Sequence, residues 1–201
     1  MTIFTLTGPS ASGKTSLANF LSGENIDLEI NKENRDRLKK IGILNKCITS
    51  TTRLPRSGET NHVDYHFYNK KDFIAKINNN EFIEYTEVYN NFYGLTKEEV
   101  KVQTANGKSI ILVMDPKGAE TIKNIYKNHV IQIFIDVSLD NIEKRMKFNR
   151  KQGDAELKER LEDLHYFYDF RDKCDYILNG NDDINTVFDK ALTIIKENID
   201  K

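Results

Sequence analysis

Gly8-Pro9-Ser10-Ala11-Ser12-Gly13-Lys14-Thr15 fits the pattern G-x-x-x-x-G-K-[ST] of a phosphate-binding loop. Its flanks decide what it means. Thr2-Ile3-Phe4-Thr5-Leu6-Thr7 is rich in β-branched and aromatic residues and reads as a buried strand, while Leu17, Phe20 and Leu21 recur at helical spacing. Strand, glycine-rich turn and helix therefore follow in the order that this loop requires. Gly8 and Gly13 let the backbone curl so that its N–H groups face phosphate oxygens, with Ser10, Ala11, Ser12 and Ser16 in the same cradle. The helix beginning near Lys14 adds the positive end of its dipole. Lys14 is placed to reach the terminal phosphates, and the Thr15 hydroxyl to ligate a Mg2+ bridging them. The chain is expected to grip a nucleoside triphosphate.

The rest of the sequence sets bounds. Its 201 residues suit one compact domain with inserted subdomains. Charged residues make up 30% at a net charge of -1, so no general basic field proposes a nucleic-acid partner. No run approaches eighteen apolar residues and the start lacks the order of a signal peptide, so a cytoplasmic protein without membrane contact, monomer or homodimer, is expected. Cys47 and Cys174 lack metal or redox spacing and read as reduced thiols.

Ser109 to Asp115 (SIILVMD), Val130 to Ile135 (VIQIFI) and, more weakly, Tyr176-Ile177-Leu178 are apolar runs of the kind buried on both faces of a parallel sheet, with helical segments between them. Asn31 to Lys40 reads as a charged helix. Val187, Ala191, Leu192, Ile195 and Ile199 share one face of a last helix. Two regions break the alternation. Residues 48–98, rich in Thr, Tyr, Asn and charge, read as short strands with one helix over Lys70 to Asn78. Residues 141–170 are charged and helical, either a lid carrying Arg145, Arg150 and Arg160 or a solvated hairpin.

Thr51-Thr52-Arg53-Leu54-Pro55-Arg56-Ser57-Gly58-Glu59 resembles the T-T-R-x-P-R-x-G-E segment of guanylate kinases. Val63-Asp64-Tyr65-His66-Phe67, Asn80-Glu81-Phe82-Ile83-Glu84 and Asn91-Phe92-Tyr93-Gly94 resemble that family's V-D-Y-x-F, E-F-I/L-E (here Glu81 to Glu84) and N-Y-Y-G, at the family's spacing. The resemblance implies an α/β, three-layer P-loop NTPase-type fold with a mostly parallel central sheet. Residues 1–47, 99–140 and 171–201 would form the core, 48–98 a GMP-binding subdomain and 141–170 a helical lid. It also implies transfer of the terminal phosphoryl group of ATP to GMP. Arg53 and Arg56 supply forked donors to the acceptor phosphate, with the Tyr65 and Tyr93 hydroxyls completing that clamp. Glu84, Asp115 and the Thr49 hydroxyl then read guanine, whose N1–H and amine call for acceptors. Arg145 and Arg160 match the lid arginines that act with Lys14 on the transferring group, and Asn179, or Asn181, the adenine contact. An acceptor that is already an ionised phosphate needs no general base.

Some positions depart from the family pattern. Leu95 stands where a Ser or Thr is usual, with Thr96 beside it; Val113 replaces an Asp, Lys117 a Gln and Asn149 an Arg. Ala11 replaces a frequent loop glycine, a mild exchange if φ is negative there. These departures motivate two alternatives: a phosphotransferase acting on another nucleotide or a sugar phosphate, and a noncatalytic guanylate kinase-like binding module. The His62-Val63-Asp64-Tyr65-His66 run is not read as a metal site, since no Cys or third His lies near it.

Overall fold

The strand ahead of the phosphate loop, β1 (Ile3–Thr7), is buried at all five positions, as a strand covered on both faces must be. The computed structural model describes residues 1–88, 90–150 and 164–199. After β1 come α1 (Lys14–Leu21), α2 (Ile26–Glu29), α3 (Lys32–Ile41), β2 (Asn45–Lys46), β3 (Ser50–Thr51), β4 (His66–Phe67) and α4 (Lys70–Asn78). Next are β5 (Phe82–Val88), β6 (Asn91–Thr96), α5 (Lys97–Gln103), β7 (Ile110–Val113), α6 (Pro116–Tyr126) and β8 (Val130–Asp136). The chain closes with α7 (Leu139–Arg150), α8 (Leu164–Arg171), β9 (Tyr176–Asn179) and α9 (Ile184–Asn198).

The apolar runs legible in the sequence form one parallel sheet in the order β2-β7-β1-β8-β9. The chain visits β2 and β7 on one side of β1 and then crosses to β8 and β9. In open α/β sheets ligands bind at such a reversal, outside the carboxyl ends of the strands. Alternation along β1 splits the core into two layers. Phe4 and Leu6 join a cluster with Leu17, Leu38, Met146 and Phe188. Ile3 joins Ile110, Leu112, Ile122 and Val130 in another. Ile199 lies just past α9 as its cap.

A second sheet, β4-β3-β6-β5, holds the Thr-, Tyr- and Asn-rich region. Its β3–β6 and β5–β6 pairs are antiparallel and β3–β4 is parallel. Phe73 of α4 is fully buried there, stacked on Phe82 at 4.4 Å and Phe92 at 5.5 Å between ring centroids. A hydrogen-bonded chain links this sheet to the segments that connect it with the first. Asn61 Oδ1 accepts the Phe67 N–H (2.9 Å), so its amide nitrogen donates to His62 Nε2 (3.1 Å). His62 Nδ1 must then donate to His66 Nδ1 (2.8 Å), and His66 Nε2 to Glu99 Oε2 in a long contact of 3.5 Å. The other Glu99 oxygen accepts from the Ile48 N–H (2.8 Å) and Gln103 (3.1 Å). Ile48 precedes β3 and Glu99 follows β6, so one carboxylate fastens both crossings between the sheets.

The charged stretch 141–170 is not merely solvated: α7 and α8 bury Ile142, Met146, Leu164 and Phe170. Residues 151–163, including Arg160, lie outside the described residues. Cys47 and Cys174 are free thiols. Among the described residues no helix is long and apolar enough to cross a membrane.

Candidate active site

The loop after β1 has the geometry its glycines foretell. Gly8 has φ +148° and lies so close to β8 that a Cβ would stand 2.6 Å from the Ile135 carbonyl oxygen. Gly13, at φ +98°, precedes α1 without any side-chain cap, leaving first-turn N–H groups for an anion. Ala11 corrects the expectation of a mild exchange. Its φ is +61°, in the left-handed region where a Cβ costs about 1–2 kcal/mol. Lys14 Nζ donates to the Gly8 and Pro9 carbonyls, at 2.7 Å each, and to Ser12 Oγ at 3.4 Å. Ser12 is buried, while Thr15 and Ser16 are exposed on the first turn.

One cavity of about 340 Å³ is lined by this loop, including Gly8, Ser10, Lys14 and Thr15, and by both sets of acceptor residues read from the sequence. Thr49, Arg53, Arg56, Tyr65 and Tyr93 line it, as do Glu84 and Asp115. Residues far apart in the sequence, from Gly8 to Asp115 and beyond, thus meet at one crevice, the one the sheet order marks.

The cationic part is braced from within its own motif. Glu59 holds Arg53 in a two-pronged pair, with both N···O distances 2.9 Å, and accepts the Arg56 N–H at 2.7 Å. Burial pushes the Glu59 carboxyl up, but these hydrogen bonds outweigh it and leave it below its ordinary value. Arg53 also donates to the Leu54 carbonyl, so these bonds use three of its five N–H donors. Its guanidinium lies over the Tyr65 ring, 5.3 Å from the centroid, and Tyr65 meets Tyr93 edge to face at 6.3 Å. Burial, then the neighbouring Tyr93, raise the Tyr65 phenol above its ordinary value.

The acidic part is built at a strand end and a bulge. Asp115 follows β7 and caps α6: its Oδ1 accepts the Gly118 N–H at 2.7 Å, with Pro116 opening the helix. Among the described residues Asp115 Oδ2 is buried without a partner. A register shift between Phe82 and Glu84 re-aims the latter. Gly118 permits both carboxylates to approach, since a Cβ there would stand 3.1 Å from Asp115 Oδ1 and 3.1 Å from Glu84 Oε2. Burial, then the charge of Asp115, push Glu84 up to about 8, against the opposing Leu95 N–H and Lys117 charge. Burial likewise raises Asp115, opposed by the Gly118 N–H and Lys117. Two desolvated carboxyl groups facing a cavity become full acceptors once a ligand's donors favour their ionised form.

Beside the loop lies a second cavity of about 500 Å³, with apolar walls from Leu17, Phe20 and Val187. Arg145 lines it and bridges the Ala11 carbonyl (3.4 Å) and the Gly180 carbonyl (2.7 Å). Gly180 and Asp182 line it as well. In the adjoining loop Asn179 accepts from Asn181 and donates to Asp182 at 2.7 Å, while Asn181 Oδ1 accepts from Ser138 and Asn141. Both asparagines brace the β9–α9 loop that forms the wall.

Leu95 is fully buried in a core cluster, and the Thr96 hydroxyl caps α5 by accepting the Glu99 N–H. The departure at Leu95 therefore belongs to packing. Glu59 closes the Thr51–Glu59 motif, and its bracing of Arg53 and Arg56 shows only in the fold. Phe167 lines the first cavity from α8 with no motif to announce it. Among the described residues no group of three or more His, Cys, Asp or Glu could hold a metal. A divalent ion would rest on Thr15, phosphate oxygens and water, a set of oxygen donors that suits a hard cation.

A family model described as guanylate kinase matches residues 1–201. A guanylate kinase of Francisella tularensis subsp. holarctica (strain LVS) is 33% identical over 199 residues, spanning 98% of this chain and 97% of that protein. One of Salinibacter ruber is 30% identical over 197 residues, spanning 97% and 95%. The crystal structure of guanylate kinase from Anaplasma phagocytophilum superposes with a TM-score of 0.74 at 27% identity, covering 100% of this chain and 87% of that one. With a whole-chain match and a shared architecture to set beside the phosphate loop and the cavity it lines, the chain belongs to the guanylate kinase family.

Proposed function

We propose that this chain transfers the terminal phosphoryl group of ATP to the 5′-phosphate of GMP or dGMP, releasing ADP and the nucleoside diphosphate. The observation that carries this reading is the single cavity in which Lys14, the Arg53–Tyr65–Tyr93 cluster and the Glu84–Asp115 pair meet. A triphosphate on the loop and a monophosphate under Arg53 and Arg56 both carry negative charge, and the arginines and Lys14 offset their repulsion. Glu84 and Asp115 accept from the guanine N1–H and amine, which orients the acceptor phosphate for in-line attack. Thr15 would hold Mg2+, which supplies charge neutralisation across the donor phosphates. No residue has to remove a proton from the acceptor. Arg145 sits between the loop and the second cavity, where the donor nucleoside fits, and Arg160 is proposed to join it over the transferring group. Residues 48–98 act as the acceptor subdomain and 141–170 as the lid.

Glu84→Ala tests the reading. Two guanine donors left unpaired should raise KM for GMP about 10–100-fold while KM for ATP stays near its parent value. Unchanged GMP use by this variant would remove the guanine assignment. Lys14→Ala should lower turnover by orders of magnitude in a protein that still folds, checked by circular dichroism beside the assay.

A further inference from the structure

We propose that Phe167 contacts the acceptor base, laying its ring against the guanine face, and that Tyr166 is the positioning residue that holds it there. This rests on the GMP reading above. A purine offers a polar edge and two flat π faces, and a site serving the edge alone would leave the faces to water. Glu84 and Asp115 serve the edge. Val113, Met114 and Phe167 supply apolar wall to the same cavity.

Three contacts fix the helix that carries Phe167. Tyr166 Oη accepts the Lys117 N–H in the first turn of α6 at 3.1 Å, two residues from Asp115. Burial and then the charge of Asp115 raise the Tyr166 phenol, which agrees with its place beside the carboxylates. Tyr168 Oη donates to the Val137 carbonyl at 2.7 Å, and Phe170 is buried in the core cluster around Ile110 and Leu112. Between these anchors Phe167 is half-buried and faces the cavity. The other rings lining that cavity, Tyr65 and Tyr93, stand with Arg53 at the phosphate clamp. Phe167 is left for the base.

The chain has no tryptophan, so Phe167→Trp creates a single indole reporter. GMP added without ATP should quench its emission, with a midpoint equal to the Kd found by calorimetry. Phe167→Ala should raise KM for GMP about 10–100-fold with KM for ATP unmoved, as loss of a base–aromatic stack does. Phe167→Leu should behave like the alanine variant, because a filled apolar wall without a π face does not replace stacking. Tyr166→Phe should raise KM for GMP about 5-fold. A KM for GMP in Phe167→Ala within about twofold of the parent, or an indole indifferent to saturating GMP, would overturn the proposal. Glu84→Ala separates the two readings: if it raises KM for GMP while the Phe167 variants do not, stacking alone fails. If neither matters, the guanine assignment fails first.

Discussion

At Ala11 the backbone takes a conformation that suits glycine, φ +61°, and the phosphate loop carries that strain. Ala11→Gly should stabilise the protein by about 0.5–1 kcal/mol, the relief of strain exceeding the extra freedom glycine gives the unfolded chain. Urea unfolding measures it, and a lower midpoint would contradict the assignment. Glu84 gives a second prediction. With its carboxyl pushed up to about 8, it is mostly protonated at neutral pH. The ionised form accepts both guanine N–H groups and the protonated form does not, so GMP affinity should rise with pH toward about 8 and flatten above it. Binding at pH 7 should release close to one proton, measurable by calorimetry in buffers of different ionisation enthalpy. Glu84→Gln should abolish the release; an unchanged release would place the proton elsewhere.

Glu99 shows how an element is tied to its neighbours. It serves the Ile48 N–H, Gln103 and His66 at once, and those bonds outweigh burial to keep its carboxyl below its ordinary value. Glu99→Ala would leave a backbone donor unpaired and should cost about 1–3 kcal/mol, read from chemical denaturation. An unchanged midpoint would mean that water serves Ile48 equally well. Local pattern reveals the elements themselves: the helix over Lys70–Asn78 starts where Asn69 caps it, and the apolar runs become β7, β8 and β9. What local pattern does not carry is proximity. Nothing in the spacing of Glu84 and Asp115 says that they meet across Gly118, because a bulge and a helix start from separate segments bring them together. Likewise no spacing announces that the Asn179 amide nitrogen donates to Asp182, and Phe167 belongs to no motif.

For the whole molecule, the two sheets share one crevice, and the proposed division makes residues 48–98 and 141–170 its moving walls. Binding both nucleotides should draw those walls over the loop and exclude water that would otherwise hydrolyse ATP. Small-angle scattering should show a smaller radius of gyration with a bisubstrate analogue bound, and an unchanged radius at demonstrated saturation would remove the closure. Arg145→Ala should then lower kcat far more than either KM, up to the 10³–10⁵ that roughly attends loss of such an arginine. A change in KM alone would make it a binding residue. Phosphorylation of GMP in this crevice is measured by coupled ADP release with ATP and Mg2+ across GMP, dGMP, AMP, UMP, CMP and sugar phosphates. GMP should show the highest kcat/KM, with dGMP next; equal turnover of AMP, or preference for any acceptor without guanine, would contradict the guanine assignment.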